Sequence, residues 1–233
     1  MNSVSATKHP RGRREVSTPK GQQLKRPGPV GGVRDLNRQK KAQSIRDAAL
    51  HLFLERGIEA VSVDDIMQAA QMAKGSFYRY YTDQTALVED LMSPTKVLMT
   101  GALETCSREL ETATSREMMI KAYKRIGDVL ATLLMEQPGP VRLFLQESRA
   151  PAQGARRPII ELSRAVSSYA IEMTKTAQRH GMLKPMPVAV SALTVVGATE
   201  RLLLAVLQEE DLGNVLEVPA ALTTLILDGL RVS

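Results

Sequence analysis

From residue 95 to residue 231 the apolar residues recur three and four positions apart, and no stretch shows the two-residue alternation of a half-buried strand. Breakers fall between the periodic segments rather than inside them: Ser93-Pro94, Thr114-Ser115, Gln137 to Pro140, Ala150 to Pro158, Gly181 to Pro187 and Asp211 to Gly213. Helices are therefore predicted at 95–113, 116–136, 140–149, 158–180, 187–209 and 217–231. A chain with this pattern has to build its core by packing helix on helix, which is an all-α architecture.

The same spacing begins earlier. Ile45, Ala48, Ala49, Leu52 and Phe53 fall at i, i+3, i+4, i+7 and i+8, and Gly57 stands where a C-terminal cap belongs. Ser62 followed by Asp65 has the form of a capping box, and Val63, Ile66, Met67 and Ala70 continue as a second short helix. After Gln71-Met72-Ala73 comes AKGSFYRYY, residues 73–81, with four aromatics in a chain only 3% aromatic. Thr82 or Asp83 then caps a helix carrying Leu87, Val88, Leu91 and Met92. Two short helices joined by a turn of about three residues, behind a longer supporting helix, are the layout of a helix-turn-helix.

Such a unit reads DNA because one helix fits the major groove with its first side chains turned outward. On a helix, Ala73, Phe77 and Tyr81 share a packing side, while Lys74, Gly75, Tyr78 and Arg79 form the other. Lys74 and Arg79 offer cations, Gly75 leaves room for a close phosphate, and Tyr78 offers a ring and a hydroxyl to the sugar-phosphate edge. Taken by themselves these are also ordinary packing tyrosines and solvated charges.

The net charge of +6 is unevenly spread. Residues 1–41 hold eleven Lys or Arg against Glu15 and Asp35, a net of +9, which leaves −3 for the remaining 192 residues. Roughly the first 35 residues, rich in Gly, Pro, Ser and Gln, are expected to stay disordered. They form a basic arm able to neutralise phosphates, and Arg34, Arg38, Lys40 and Lys41 are the cations nearest the first helix. The lone Cys106 is in keeping with a reducing compartment. The most apolar stretch, 187–207, is interrupted by Glu200 and Arg201, so neither a membrane span nor secretion is expected, and the cytoplasm is the predicted location.

The ordered set AALHLFLERG, Ser-Val, Ile-x-x-Ala-Ala, Lys-Gly-Ser-Phe-Tyr-x-Tyr-Tyr and a polar cap before Leu-Val, within 45–92, resembles the DNA-binding module of the tetracycline-repressor (TetR) family of bacterial regulators. The resemblance implies a homodimer on a palindromic double-stranded operator, most often as a repressor, bound to the nucleoid when engaged and released by a small-molecule effector. Carried over by position, its DNA contacts fall on Ser62, Lys74, Gly75, Ser76, Tyr78 and Tyr80, with Arg79 on or near that face. Four departures stand out. Gln71 occupies the usual turn glycine, Ala73 the usual capping serine, and Asp64 and Asp65 a place where a basic residue is frequent. Gln84 likewise replaces a frequent basic residue.

The resulting expectation is a basic arm at 1–35, a three-helix helix-turn-helix domain at 36–92 and a helical effector-binding and dimerisation domain at 93–233. The stretch 187–231 carries more apolar surface than one core needs, so it is assigned to the dimer, with Gly197, Ala198 and Ala205 allowing close approach. Met99, Met118, Met119, Met135 and Met173 are candidates to line an adaptable effector cavity. Arg142, Glu147 and Arg149 are expected to form salt bridges. Enzyme signatures are missing from the sequence: it has no Gly-rich phosphate loop and no Cys-x-x-Cys, and its three histidines are scattered. Neither a cofactor nor a metal is therefore expected. The competing reading is an architectural or RNA-binding protein that uses the basic arm without sequence specificity.

Overall fold

The computed structural model describes residues 32–214 together with 217, 218, 221 and 224. The expected arm at 1–31 and most of the helix expected at 217–231 lie outside the described residues. The chain divides into two compact units, residues 1–38 and 39–233. In the first, the described residues form the opening turns of α1 (Val33–Arg56), with the Asp35 and Leu36 amides donating to the Gly32 carbonyl. Helix thus begins at Val33, at the end of the stretch expected to stay disordered, and Arg34, Arg38, Lys40 and Lys41 are exposed on it.

The second unit continues through α2 (Val63–Ala69), α3 (Gln84–Thr112), α4 (Arg116–Glu136), α5 (Pro138–Glu147), α6 (Arg157–Arg179) and α7 (Val188–Leu207). Short 3-10 turns lie at Ile58–Ala60, Lys74–Arg79 and Gly154–Arg156. Every described element is helical, as the spacing requires. The break predicted at Ser93-Pro94 is absent: α3 runs straight through Pro94. An interior proline removes one backbone donor and disfavours the helix by about 3 kcal/mol. Burial of Leu91, Met92, Thr95 and Met99 along one face outweighs it, and the Thr95 hydroxyl donates to Gln137 Oε1 at 2.7 Å.

One apolar cluster joins Ile45, Ala49, Leu52 and Phe53 of α1 to Ile66 and Met67 of α2, Phe77, and Leu87 and Val88 of α3. The same cluster continues into Leu143 and Phe144 of α5 and Ile159 and Leu162 of α6. The N-terminal helices therefore share one core with α5 and α6. A second cluster, from Met99 and Cys106 to Met119, Leu133 and Met173, fills the space among α3, α4 and α6. Burial pushes the Cys106 thiol up to about 12, so it behaves as a small apolar side chain.

The two ends of the shared core are tied by Glu147, buried at the end of α5. Its Oε2 accepts from Arg156 Nε at 2.6 Å, and its Oε1 accepts from the Ile58 amide at 3.3 Å and from Gln146 Nε2 at 3.2 Å. Gln146 Nε2 also donates to the Phe53 carbonyl at 3.0 Å, near the end of α1. Gly57 makes this approach possible. It sits at φ 79, and a β-carbon there would come within 3.3 Å of Glu147 Oε1. The salt bridges expected of Glu147 and Arg149 are present, to Arg156 and to Glu200.

Methionines divide sharply: Met99, Met119 and Met173 are buried, whereas Met118 and Met135 are exposed. Ala205 is another correction. It is 2% exposed within this protomer, so it is already covered and unavailable for contact across a two-fold axis.

Glu147→Ala should lower unfolding free energy in a denaturant titration by about 3 kcal/mol, because it leaves the largely buried Arg156 guanidinium with only the half-exposed Glu59, 3.9 Å away. Glu161→Ala, which breaks the exposed pair with Arg157, should stay within about 0.5 kcal/mol of the parent.

Candidate nucleic-acid interface

α2 starts with a complete capping box. The Ser62 hydroxyl accepts from the Asp65 amide at 3.2 Å, and Asp65 Oδ2 accepts from the Ser62 amide at 2.8 Å and from the Ser62 hydroxyl at 2.6 Å. These bonds to Ser62, side chain first and backbone second, hold the Asp65 carboxyl below the usual range. The contribution of the box is therefore present above the ordinary carboxylate pKa and is lost as pH falls through the depressed one.

α2 ends in a Schellman motif: the Met72 amide donates to the Met67 carbonyl at 2.9 Å and the Gln71 amide to the Gln68 carbonyl at 3.0 Å. The motif needs a left-handed residue between them, and Gln71 supplies it at φ 55. The same pair of bonds ends α6, where Gly181 takes the left-handed place at φ 68. The turn therefore keeps its form without glycine, at some strain.

Ala73 precedes the next turn in extended conformation, φ −65 and ψ 136, with no side-chain cap bond. It is exposed, not on the packing side where helical spacing had put it. Lys74–Arg79 is a 3-10 turn. Phe77 is fully buried and Tyr81 is 8% exposed, their ring centroids 5.7 Å apart. Ser76 is also buried, its hydroxyl accepting from Arg79 NH2 at 2.9 Å, and Tyr80 is half-buried against the core. Lys74, Gly75, Tyr78 and Arg79 face outward. Tyr78 is 63% exposed and stands edge-on to Phe77, centroids 5.5 Å apart. A β-carbon at Gly75 would meet nothing within 4 Å, so packing within the chain does not demand glycine there.

Two groups that spacing did not reveal shape this surface. Lys74 Nζ pairs with Asp64 Oδ2 at 2.6 Å, across ten residues and an intervening turn, and that hydrogen bond raises the ammonium above its ordinary value. Behind the surface, Asp90 Oδ2 accepts from Arg46 NH1 at 2.7 Å and from the Tyr81 hydroxyl at 2.8 Å. Burial, and then the bond to Asp90, pushes the Tyr81 phenol up. Arg46 is held above its usual value by Asp90 against the opposing effect of desolvation. Gln84, which stands where a basic residue is frequent, donates to the Val61 carbonyl at 2.9 Å and so braces the start of α2.

Residues 45–91 match the family model for bacterial regulatory proteins of the tetR family. A 67-residue segment is 33% identical to YvdT of Bacillus subtilis (strain 168), an uncharacterized HTH-type transcriptional regulator; it covers 27% of this chain and spans only 34% of that protein. Over longer stretches the fold is similar to a TetR family transcription regulator from Marinobacter aquaeolei VT8, with 15% identity, TM-score 0.60, and 85% of this chain and 99% of that one covered. It is also similar to the transcriptional regulator FadR from Bacillus subtilis in complex with stearoyl-CoA, with 17% identity, TM-score 0.57, and 81% and 99% covered. At these identities the likeness shows the fold alone.

Gln71→Gly should raise stability by about 0.5–1 kcal/mol in thermal or denaturant unfolding, the relief of left-handed strain being partly offset by a freer unfolded chain. A loss of stability would mean that the Gln71 side chain supports the turn.

Proposed function

Because residues 45–91 make the chain a member of the tetR family of bacterial regulatory proteins, we propose that it acts as a cytoplasmic homodimeric repressor, reading a palindromic operator with the outward residues of 74–79 and released by an effector with an apolar chain. The observation that carries the reading is the division of the Lys74–Arg79 turn. Phe77 is locked into the core while Lys74, Gly75, Tyr78 and Arg79 stay outside, immediately after a capped helix and a three-residue turn. That leaves backbone and side chains free to approach phosphates and base edges together. Ser62 keeps its place in the reading as the first residue before α2, although its hydroxyl already serves Asp65. Ser76 and Tyr80 support the turn from within, and contact DNA through their backbone or ring edge. The cations of 1–35, with Arg34, Arg38, Lys40 and Lys41, add salt-dependent affinity.

Dimerisation through 187–231 is supported by α7. Of its twenty residues only Ser191, Ala192 and Ala205 are buried, while Val190 and Leu193 are 58% and 47% exposed. Its length and composition would also suit a membrane span. Glu200 and Arg201, paired with Arg149 at 3.0 Å and Glu210 at 2.7 Å, favour a protein partner instead. The effector reading rests on a small apolar hollow lined by Met99, Leu130, Val141, Phe144 and Leu203, with Thr95 at its wall. An acyl chain, as in the stearoyl-CoA complex of the similar FadR fold, has the chemistry for such a lining, and the hollow, about 20 Å³, has to widen to admit one.

A footprint on DNA flanking the gene should show one symmetric site with half-sites about one helical turn, or a multiple, apart. Tyr78→Ala should weaken that complex about tenfold or more with little change in melting temperature. Equal binding to unrelated duplexes, unchanged by Tyr78→Ala, would favour an architectural role for the basic arm. In sedimentation at micromolar concentration the chain should run as a dimer, and Val190→Asp with Leu193→Asp should give monomer; a monomeric parent chain removes α7 from the interface.

A further inference from the structure

We propose that Asp64 is an internal competitor for DNA phosphate: its carboxylate occupies the Lys74 ammonium and so sets how strongly the reading surface holds any duplex. The inference rests on the DNA-reading function above and adds a residue that works against it. A carboxylate oxygen 2.6 Å from Nζ takes the position and role that a phosphate oxygen would take. Both side chains are more than half exposed, so the pair is open to exchange with an incoming strand rather than sealed in the fold.

The neighbouring carboxylate cannot do the same. Asp65 is bound by the amide and hydroxyl of Ser62 and keeps its place whether or not DNA is present. Asp64 has no such anchor among the described bonds other than Lys74 itself. It nonetheless lies in the first turn of α2, where the helix dipole favours negative charge, so the fold tolerates a carboxylate at the edge of an anion-binding surface.

The effect is magnified because cations are scarce here. Residues 45–91 hold four Lys or Arg (46, 56, 74 and 79) against eight Asp or Glu. Arg46 is bound to Asp90, and Arg79 reaches back to the Ser76 hydroxyl. Sequence-independent affinity follows the number of phosphates a surface neutralises. A module that pairs its lysine internally surrenders part of that affinity on every duplex, and the approach to DNA falls to cations elsewhere in the chain.

The test uses the full chain and a labelled mixed-sequence duplex long enough for two successive major grooves, titrated across a KCl series. Asp64→Asn should bind roughly two- to fivefold more tightly per reading unit at low salt, the range for an exposed ion pair. Its plot of log affinity against log salt should steepen by about 0.9 per unit. Asp64→Ser, which keeps a polar first-turn residue, should reproduce both changes if they come from the lost carboxylate rather than from altered folding. In a Lys74→Ala background Asp64→Asn should bring little gain. The proposal is overturned if the gain is just as large there, since Asp64 would then merely repel phosphate, or if Asp64→Asn binds as the parent does. Failure of the underlying reading looks different: Lys74→Ala alone would then leave duplex binding unchanged.

Discussion

The fold turns on a carboxylate. Glu147 closes α5 and holds three donors at once: the Arg156 guanidinium, the Gln146 amide and the backbone N–H of Ile58. A buried charge is tolerable only when it is paired and its remaining lone pairs are used, and here both conditions are met. The consequence is geometric. Ile58 lies in the bend between α1 and α2, so the end of α5 fixes the angle at which the reading module leaves its supporting helix. Apolar packing of Leu143 and Phe144 into the same cluster as Phe53 and Phe77 provides most of the binding energy between these elements, but packing alone is tolerant of sliding. The directional bonds of Glu147 and Gln146 remove that tolerance.

From this anchor the surface chemistry divides into tied and untied groups. Ser62 with Asp65, Arg46 with Asp90 and Tyr81, and Gln84 with Val61 are all engaged in holding α1, α2 and the start of α3 together. Tyr78 is exposed and makes only a ring contact, and Gly75 is open on its outer side. Few residues of this surface are therefore left untied, and the rest maintain their position. α7 shows the opposite balance, a long apolar helix with three buried residues and most of the others only partly covered.

Much of this was legible in the sequence because it is local. The stripe from Ile45 to Phe53, the cap at Gly57, the Ser62 and Asp65 box and the turn at Gln71 each depend on residues within eight positions of one another. The illegible features depend on distant partners. Nothing near Pro94 signals that burial on both sides would carry α3 through it. Gln84 looked like a lost cation because its acceptors lie more than twenty residues upstream. Ala205 looked like a contact surface, yet it is already buried within the single chain.

The aromatic cluster at 77–81 shows where the periodic argument holds and where it stops. Helical spacing puts Phe77 and Tyr81 on one line with Ser76 and Tyr80 beside it, and all four turn toward the core, Ser76, Phe77 and Tyr81 buried and Tyr80 half-buried. Ala73 leaves that line because the segment ahead of the turn is not helical: Gln71 is left-handed, Ala73 is extended, and no side chain caps the turn. The winding that follows is 3-10, whose poorer hydrogen-bond geometry is tolerated in a short piece. What holds the segment is therefore the burial of Phe77 and Tyr81 rather than the capping of its start, and the outward side chains keep their positions only as long as those two rings stay packed.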